Sequence, residues 1–178
     1  MVFKRDPKAQ TGFSLIEILI SLLILSIGLL GLGGLQLSSL KGANNAHFRT
    51  VASLAVTDLI DRMRANPAAV DSNFYTADLG REHCDTALNK VCEAGTDCSA
   101  EDLAAYDLHR VNCGVSAVLY QTGGVQFDLP QPSLQITCDT PPCSAGDEHT
   151  IRVTWNETDD DDQDNDVQTR SYELSFIP

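Results

Sequence analysis

The chain begins with a short polar segment and continues with a long apolar run. Residues 1–12 read MVFKRDPKAQTG, and residues 13–40 read FSLIEILISLLILSIGLLGLGGLQLSSL, with Glu17 as the single charged side chain. At about 1.5 Å per residue, a helix over 13–40 is long enough to cross a hydrocarbon core of roughly 30 Å. We therefore predict a transmembrane helix. The basic residues before it should stay in the cytoplasm, which places the rest of the chain outside.

The pattern becomes amphipathic after residue 40. Apolar residues recur there at spacings of three and four, at Phe48, Ala52, Ala55, Leu59 and Met63. Polar residues lie off this stripe, among them Arg49, Ser53, Asp61 and Arg62. Such a pattern is typical of a helix that lies on a globular body. We expect the helix to continue over 41–66 and to stop at Asn66-Pro67, because the residue before a proline avoids helical geometry.

The remaining residues predict a domain with one more helix and a sheet. Residues 68–98 are polar and weakly periodic, which indicates a loop-rich connector. Ser99, followed by acidic residues, resembles a helix start. The helix should run from about 100 to 112, with 119 as an alternative end, and should expose Asp107. Strand-like segments follow at Val125–Leu129, Leu134–Cys138, Thr150–Asn156 and Ser171–Ile177. A helix followed by a small antiparallel sheet is an α+β fold.

The cysteines indicate an oxidising compartment. All six follow residue 83, in the part of the chain expected outside the cytoplasm, at Cys84, Cys92, Cys98, Cys113, Cys138 and Cys143. Disulfides are therefore expected. A zinc site is disfavoured because no C-x-x-C pair occurs.

The spacing of the cysteines restricts how they can pair. Cys138 and Cys143 close a short loop and are the most favourable pair. A helix between Cys98 and Cys113 would hold these two roughly 20 Å apart, which is too far for a bond. Two arrangements of the remaining four stay open, of which we favour the first: Cys84 with Cys113 and Cys92 with Cys98, or Cys84 with Cys98 and Cys92 with Cys113.

The net charge of the chain disfavours some functions, and the spacing of a group of aspartates makes calcium binding an alternative to be weighed. The chain has 25 acidic and 12 basic residues and a net charge of -13, which disfavours binding to nucleic acid. Asp162, Asp164 and Asp166 occupy positions 1, 3 and 5 of an EF-hand-like spacing, with Glu173 at position 12. Position 6 is Val167 instead of glycine. A solvated hairpin loop is the favoured interpretation, with calcium binding as the alternative, and no other cofactor is expected. No catalytic constellation is recognisable, so we do not expect an enzyme.

Glu17 is costly inside an apolar helix unless it finds a partner. An ionised side chain at mid-bilayer costs roughly 2.5 to 3.5 kcal/mol, and residues 13–40 contain no basic residue. The surrounding residues, Gly12-Phe13-Ser14-Leu15-Ile16-Glu17, resemble the processing signal of type IV prepilins and pseudopilins. This signal has a short basic leader that ends in glycine, then phenylalanine, then glutamate at the fifth position of the mature chain.

The resemblance implies roles for three residues. Prepilin peptidase would cut after Gly12 and methylate the new amino group of Phe13. Glu17 would pair with the amino group of a neighbouring subunit's first residue. Such a pair is physically reasonable, because opposite charges attract strongly in a medium of low dielectric constant.

The resemblance also implies the organisation of the chain. It predicts a type IV pilin-like α+β fold, in which a long N-terminal helix packs on a small antiparallel sheet with a further short helix. The helix is transmembrane in its first half and amphipathic in its second. The implied segments are a leader at 1–12, a transmembrane and assembly helix at 13–40, its amphipathic continuation at 41–66 and a periplasmic disulfide-bonded domain at 67–178.

Further segments resemble the PilV-like minor pilins of type IVa pili: Asp61–Pro67, Leu103–Leu108, Thr150–Trp155 and Tyr172–Ile177. This resemblance implies a minor pilin that primes pilus assembly, enters the fibre at or near its tip and supports adhesion and twitching motility. The implied partners are other minor pilins, the major pilin, prepilin peptidase, the inner-membrane assembly platform and a tip adhesin. The implied location is the inner membrane, crossed once, and then the fibre.

Two alternatives remain for the function. A minor pseudopilin of a type II secretion system would carry the same processing signal. A membrane-tethered binding or catalytic domain would need a site, and the sequence offers none. The resemblance to PilV-like chains is also lost over residues 84–98 and in the acidic loop.

Overall fold

The computed structural model describes residues 12–93, 96–117, 120–158 and 167–178. The chain divides into two compact units, Met1–Asn44 and Asn45–Pro178. Helix α1 runs from Leu15 to Ala65 and supplies residues to both units. Its first part reaches a mean hydropathy of 2.6 over 18 residues and is long and apolar enough to cross a membrane.

The second part of α1 packs on the core of the domain. Ala52, Leu59 and Met63 of the predicted stripe are buried, and Phe48 and Ala55 are partly buried against the same core. Two further core residues of α1, Val56 and Ile60, widen the stripe. The helix ends at Ala65, and a short helix, α2 (Pro67–Asp71), begins at the predicted stop.

A four-stranded antiparallel sheet forms the other layer of the domain. Its order is β1-β4-β5-β6, with β1 at Ala77–Leu79, β4 at Ser133–Cys138, β5 at His149–Thr158 and β6 at Val167–Phe176. Ile151, Val153 and Trp155 alternate along β5 and are buried. This alternation of buried residues is the pattern of a strand with one face on a core. The chain therefore has the predicted long helix on a small antiparallel sheet.

Helix α3 (Ala100–Cys113) begins and ends through local interactions. The Asp102 backbone N–H donates to Ser99 Oγ at 3.1 Å, and the Ser99 N–H donates to Asp102 Oδ2 at 3.3 Å. Gly114 then has a φ of 77°, which favours glycine and stops the helix. The alternative helix end at residue 119 is therefore wrong. Strands β2 (Val115–Ala117) and β3 (Tyr120–Thr122) form a separate antiparallel pair there.

Two other sequence predictions are corrected by the structure. Val125–Leu129 is not a strand, because a single helical turn, α4, occupies Val125–Asp128. Val125 and Leu129 are four residues apart and both buried, as one face of a helical turn allows, and so short an apolar run does not distinguish the two structures. The connector at 68–98 is also more ordered than predicted, because it contains most of α2, strand β1 and a 3-10 turn at Arg81–Cys84.

Three disulfides close loops within the domain. The bonded pairs are Cys84–Cys113, Cys92–Cys98 and Cys138–Cys143, with Cα–Cα distances of 5.4, 6.0 and 5.7 Å. This is the first of the two arrangements that the sequence left open. Cys84 ends the 3-10 turn and Cys113 ends α3, so their bond holds the connector against the helix.

We predict that the Cys84–Cys113 bond contributes more stability than the Cys92–Cys98 bond. The first joins residues 29 apart and the second joins residues only 6 apart, so the first restricts the unfolded chain more. Loop-closure entropy gives about 3 to 4 kcal/mol for the longer loop and about 2 kcal/mol for the shorter one. Thermal unfolding of the full chain in detergent, followed by near-ultraviolet circular dichroism, should show a larger loss for Cys84→Ala with Cys113→Ala.

The matched control is Cys92→Ala with Cys98→Ala. An equal or greater loss of stability in that control would contradict the prediction.

Candidate functional site

The residues of the predicted processing signal lie at the start of α1. Gly12, Phe13 and Ser14 precede the helix, and the remainder of the predicted leader lies outside the described residues. The Ser14 carbonyl accepts hydrogen bonds from the backbone N–H groups of Glu17 at 3.1 Å and of Ile18 at 3.3 Å. Glu17 therefore lies in the first helical turn, where the partial positive charge of the helix N-terminus favours a carboxylate.

The helix surface after Glu17 is apolar on every side. Each leucine and isoleucine from Leu15 to Leu40 is between 50% and 78% exposed. The Ser21 hydroxyl donates to the Glu17 carbonyl at 2.7 Å, and the Ser26 hydroxyl donates to the Leu22 carbonyl at 2.7 Å. These hydroxyls are thus satisfied within the helix and can enter an apolar medium.

The Glu17 carboxylate differs from these hydroxyls because the apolar stretch 13–40 contains no cation that could neutralise it. A counter-charge has to come from outside this stretch, from the rest of the chain or from another molecule. So large an exposed apolar surface likewise needs a cover of lipid or of other apolar helices. The segment is therefore suited to association inside an apolar medium.

A buried carboxylate holds the other end of α1 in the domain. Asp107 of α3 accepts a hydrogen bond from Arg62 Nη1 at 2.9 Å and another from the Tyr75 hydroxyl at 2.7 Å. Asn66 Nδ2 donates to the carbonyl of Ala100 at 2.9 Å, beside this group. The Asp107 side chain is only 5% exposed. Three segments of the chain therefore meet at one carboxylate.

The hydrogen bonds to Asp107 help to keep its two partners in their hydrogen-donating forms. Burial, together with the hydrogen bond to Asp107, raises the pKa of Tyr75 well above its ordinary value of 10.0. Burial alone would lower the pKa of Arg62, but hydrogen bonds to Asp58 and Asp107 outweigh it, and the pKa of Arg62 is raised. Asp107 thus keeps two donors over the whole physiological range of pH.

Sequence reasoning missed this cluster. Arg62 and Asp107 both fall off the apolar stripes of their helices and were expected on the solvent side. In the structure the Arg62 side chain is 25% exposed, and its guanidinium reaches across to α3. Periodicity within one helix carries no information on a polar pair that two helices share.

The other candidate residues lie apart from these two places. Asp162, Asp164 and Asp166 lie outside the described residues. Glu173, the twelfth position of the calcium spacing, accepts from Arg152 Nε at 2.7 Å across β5 and β6. Among the described residues no group of three or more histidine, cysteine or acidic side chains is placed to hold a metal ion.

Two family models match adjoining parts of the chain. The prokaryotic N-terminal methylation motif matches residues 7–33. The Tt1218-like model, described as type IV pilin Tt1218, matches residues 34–109. Neither the curated proteins nor the solved structures give a significant match. The first match contains Gly12, Phe13 and Glu17, and the second contains the Arg62, Tyr75 and Asp107 cluster.

We predict that Asp107→Asn lowers the free energy of unfolding by about 1 to 3 kcal/mol, because it removes a buried charge that has two donors. Asp58→Asn is the matched control, since Asp58 binds the same Arg62 at 2.9 Å but its side chain is 52% exposed. The control should cost less than about 1 kcal/mol. Chemical denaturation of the full chain in detergent measures both values. Equal losses would show that burial of Asp107 does not set its contribution.

Proposed function

We propose that this type IV pilin-like protein, with its N-terminal methylation motif and pilin domain, is a minor pilin of the PilV-like branch. It helps to initiate type IV pilus assembly and is incorporated at or near the pilus tip, where it supports adhesion and twitching motility. The observation that carries the proposal is a helix whose apolar first part is exposed and has one carboxylate in its first turn, and whose second part belongs to a disulfide-bonded domain.

Processing is the first step of the proposed function. Prepilin peptidase cleaves after Gly12 and methylates the amino group of Phe13. Both residues precede the first turn of α1, so they are not fixed within helical hydrogen bonds. The basic leader keeps this end of the chain in the cytoplasm, and α1 crosses the inner membrane once. The domain is then periplasmic, a compartment that allows the three disulfides to form.

Assembly is the second step, and Glu17 directs it. In the membrane, the carboxylate lacks a counter-charge within the apolar stretch. The amino group of a neighbouring subunit's Phe13 supplies one, and the attraction between them is strong because the surroundings are apolar. The exposed leucine and isoleucine side chains then pack on neighbouring helices instead of lipid. The ion pair fixes the axial position of the subunits, whereas the apolar contacts, being non-directional, do not.

The proposed partners follow from this role. They are other minor pilins and the major pilin, which bring helices of the same kind, together with prepilin peptidase, the inner-membrane assembly platform and a tip adhesin. Type IV pilins are structural proteins and not enzymes. The alternative is a minor pseudopilin of a type II secretion system, which would use the same processing and the same carboxylate.

We predict that Glu17→Ala leaves leader cleavage intact but lowers incorporation into fibres by about tenfold, or roughly 1.4 kcal/mol. The variant keeps Gly12 and Phe13 but loses the group that attracts the neighbouring amino terminus. Mass spectrometry of the N-terminus measures cleavage, and immunoblots of sheared fibres and of membranes measure incorporation.

Ser21→Ala is the matched control for this experiment. Ser21 lies one turn further along the helix, and its hydroxyl bonds only to the backbone of Glu17 in the structure. Both cleavage and incorporation should be normal in that variant. Normal incorporation of Glu17→Ala would refute the assembly role of the carboxylate.

We also predict that deletion of the whole protein strongly reduces the number of surface fibres and leaves protein secretion intact. Electron microscopy counts the fibres, and the profile of secreted proteins is the control. Recovery of some fibres when pilus retraction is also disabled would indicate a role in initiation. Normal fibres with failed secretion would instead support the pseudopilin alternative.

A further inference from the structure

We propose that the domain binds a small uncharged molecule, with an apolar body and one hydroxyl group, in a cavity between the connector and α3. The walls of the cavity supply apolar contacts, and the imidazole of His109 supplies the partner for the hydroxyl. This binding is independent of whether the chain serves a pilus or a secretion system.

The first observation is the cavity itself, which has a volume of about 340 Å³. One face of α3 lines it, with Ala105, Leu108, His109 and Asn112, and the connector segment 86–90 lies opposite. Ligand sites of proteins commonly have volumes of about 300 to 1,000 Å³. A dry cavity of about 150 Å³ in another protein binds benzene. The cavity under the connector is therefore large enough for a molecule with one substituted ring.

The second observation is that both ends of the connector segment are fastened. The Cys84–Cys113 bond holds its first end, and Cys113 itself lines the cavity. The Cys92–Cys98 bond holds the other end, where Lys90 Nζ also donates to a backbone carbonyl just before Cys98. A site whose walls are fixed before binding loses less conformational entropy when a ligand enters. The two disulfides therefore preorganise the cavity.

The third observation concerns the character of the walls. Apolar side chains form a large part of them, at Leu79, Ala87, Leu88, Ala105 and Leu108. Such walls favour a ligand that has an apolar body of its own, because both apolar surfaces leave water together.

The charged residues of the lining do not select an ionic ligand. Lys90 Nζ lies 3.9 Å from the Asp102 carboxylate, so these two charges largely offset each other. Glu101 is exposed, and water therefore screens its charge. An ion that enters the cavity would lose hydration and would gain little in return. The lining thus favours an uncharged ligand.

The fourth observation is that the imidazole of His109 is available to a ligand. His109 is half-buried, and burial lowers its pKa below the ordinary value of 6.5, so the ring is uncharged at neutral pH. Among the described residues none forms a hydrogen bond or an ion pair with this ring. Asn112, by contrast, donates to the Gly80 carbonyl at 3.2 Å and accepts from Gln126 at 2.9 Å.

The available imidazole determines the polar group of the ligand. An uncharged imidazole has one nitrogen that donates and one that accepts a hydrogen bond. A hydroxyl group can also donate and accept, so it pairs with either tautomer of His109. A ligand with one hydroxyl on an apolar body therefore matches both the walls and the one imidazole that they leave without a partner.

The test compares p-cresol, toluene and 4-methylbenzoate, which have the same ring and methyl group. p-Cresol has the hydroxyl, toluene lacks it, and 4-methylbenzoate has a negative charge in its place. Equilibrium dialysis of the full chain in detergent micelles, with empty micelles as the blank, measures bound ligand. p-Cresol should bind about fivefold more tightly than toluene, as expected for one net hydrogen bond, and 4-methylbenzoate should bind more weakly than either.

Two variants and their matched controls locate the binding. His109→Leu should weaken binding of p-cresol by about fivefold and leave binding of toluene nearly unchanged. His47→Leu, at an exposed histidine of α1 outside the cavity, should change neither. Ala105→Phe fills the cavity and should weaken both ligands at least tenfold, whereas Ala68→Phe, at an exposed position of α2, should weaken neither.

Circular dichroism checks that each variant is folded. The proposal is overturned if p-cresol binds no better than to empty micelles, if toluene or 4-methylbenzoate binds as tightly, or if each variant loses no more affinity than its control. N-acetyltyrosinamide has the same hydroxyl on a peptide backbone. If it binds more tightly than p-cresol, the occupant is a side chain of another protein, and the assignment to a small molecule is wrong.

Discussion

A single helix has to be compatible with two different surroundings, and the rest of the chain depends on this constraint. The first part of α1 exposes leucine and isoleucine side chains all around the helix. Water solvates such a surface poorly, and the domain's own core does not cover it. The second part is apolar on one stripe and packs on the sheet. Lipid can cover the first part before assembly and other apolar helices can cover it afterwards. Under the proposed assembly, the lone carboxylate at Glu17 makes these covers unequal, because the amino terminus of a neighbouring chain supplies a cation that lipid tails lack.

The second part of α1 is held in a defined orientation on the core of the domain. Apolar packing alone allows a helix to rotate or slide, because it has no strong directional preference. Asp107 adds direction, since its two oxygens accept from groups on α1 and on the segment before β1. Removing a single partner from such a buried group leaves charge uncompensated, so the three segments are coupled to one another. The hydrogen bonds to Asp107 thus fix the rotation and position of α1, which apolar packing alone would leave variable.

The sequence predicted those features that depend on local or strictly periodic interactions. The long apolar run, the stop before Pro67, the cap at Ser99 and the strand alternation around Trp155 are all visible within a few residues. Other features depend on residues that are distant in the chain. Strand β1 is three residues long and exists through its pairing with β4, and the Arg62–Asp107 pair joins residues 45 apart. The turn at Val125 was misjudged because an apolar run this short does not distinguish a helical turn from a strand.

The nested disulfides also make the stability of this domain depend on the compartment in which it lies. The connector is closed by Cys84–Cys113 and, within that loop, by Cys92–Cys98. These bonds persist in an oxidising compartment and are reduced in the cytosol. Under the proposed export of the domain, the bonds would form only after it has left the cytosol and would then hold it in its folded form. Oxidation would in that case favour the exported state, because the disulfide-bonded domain has to be reduced before it can unfold fully.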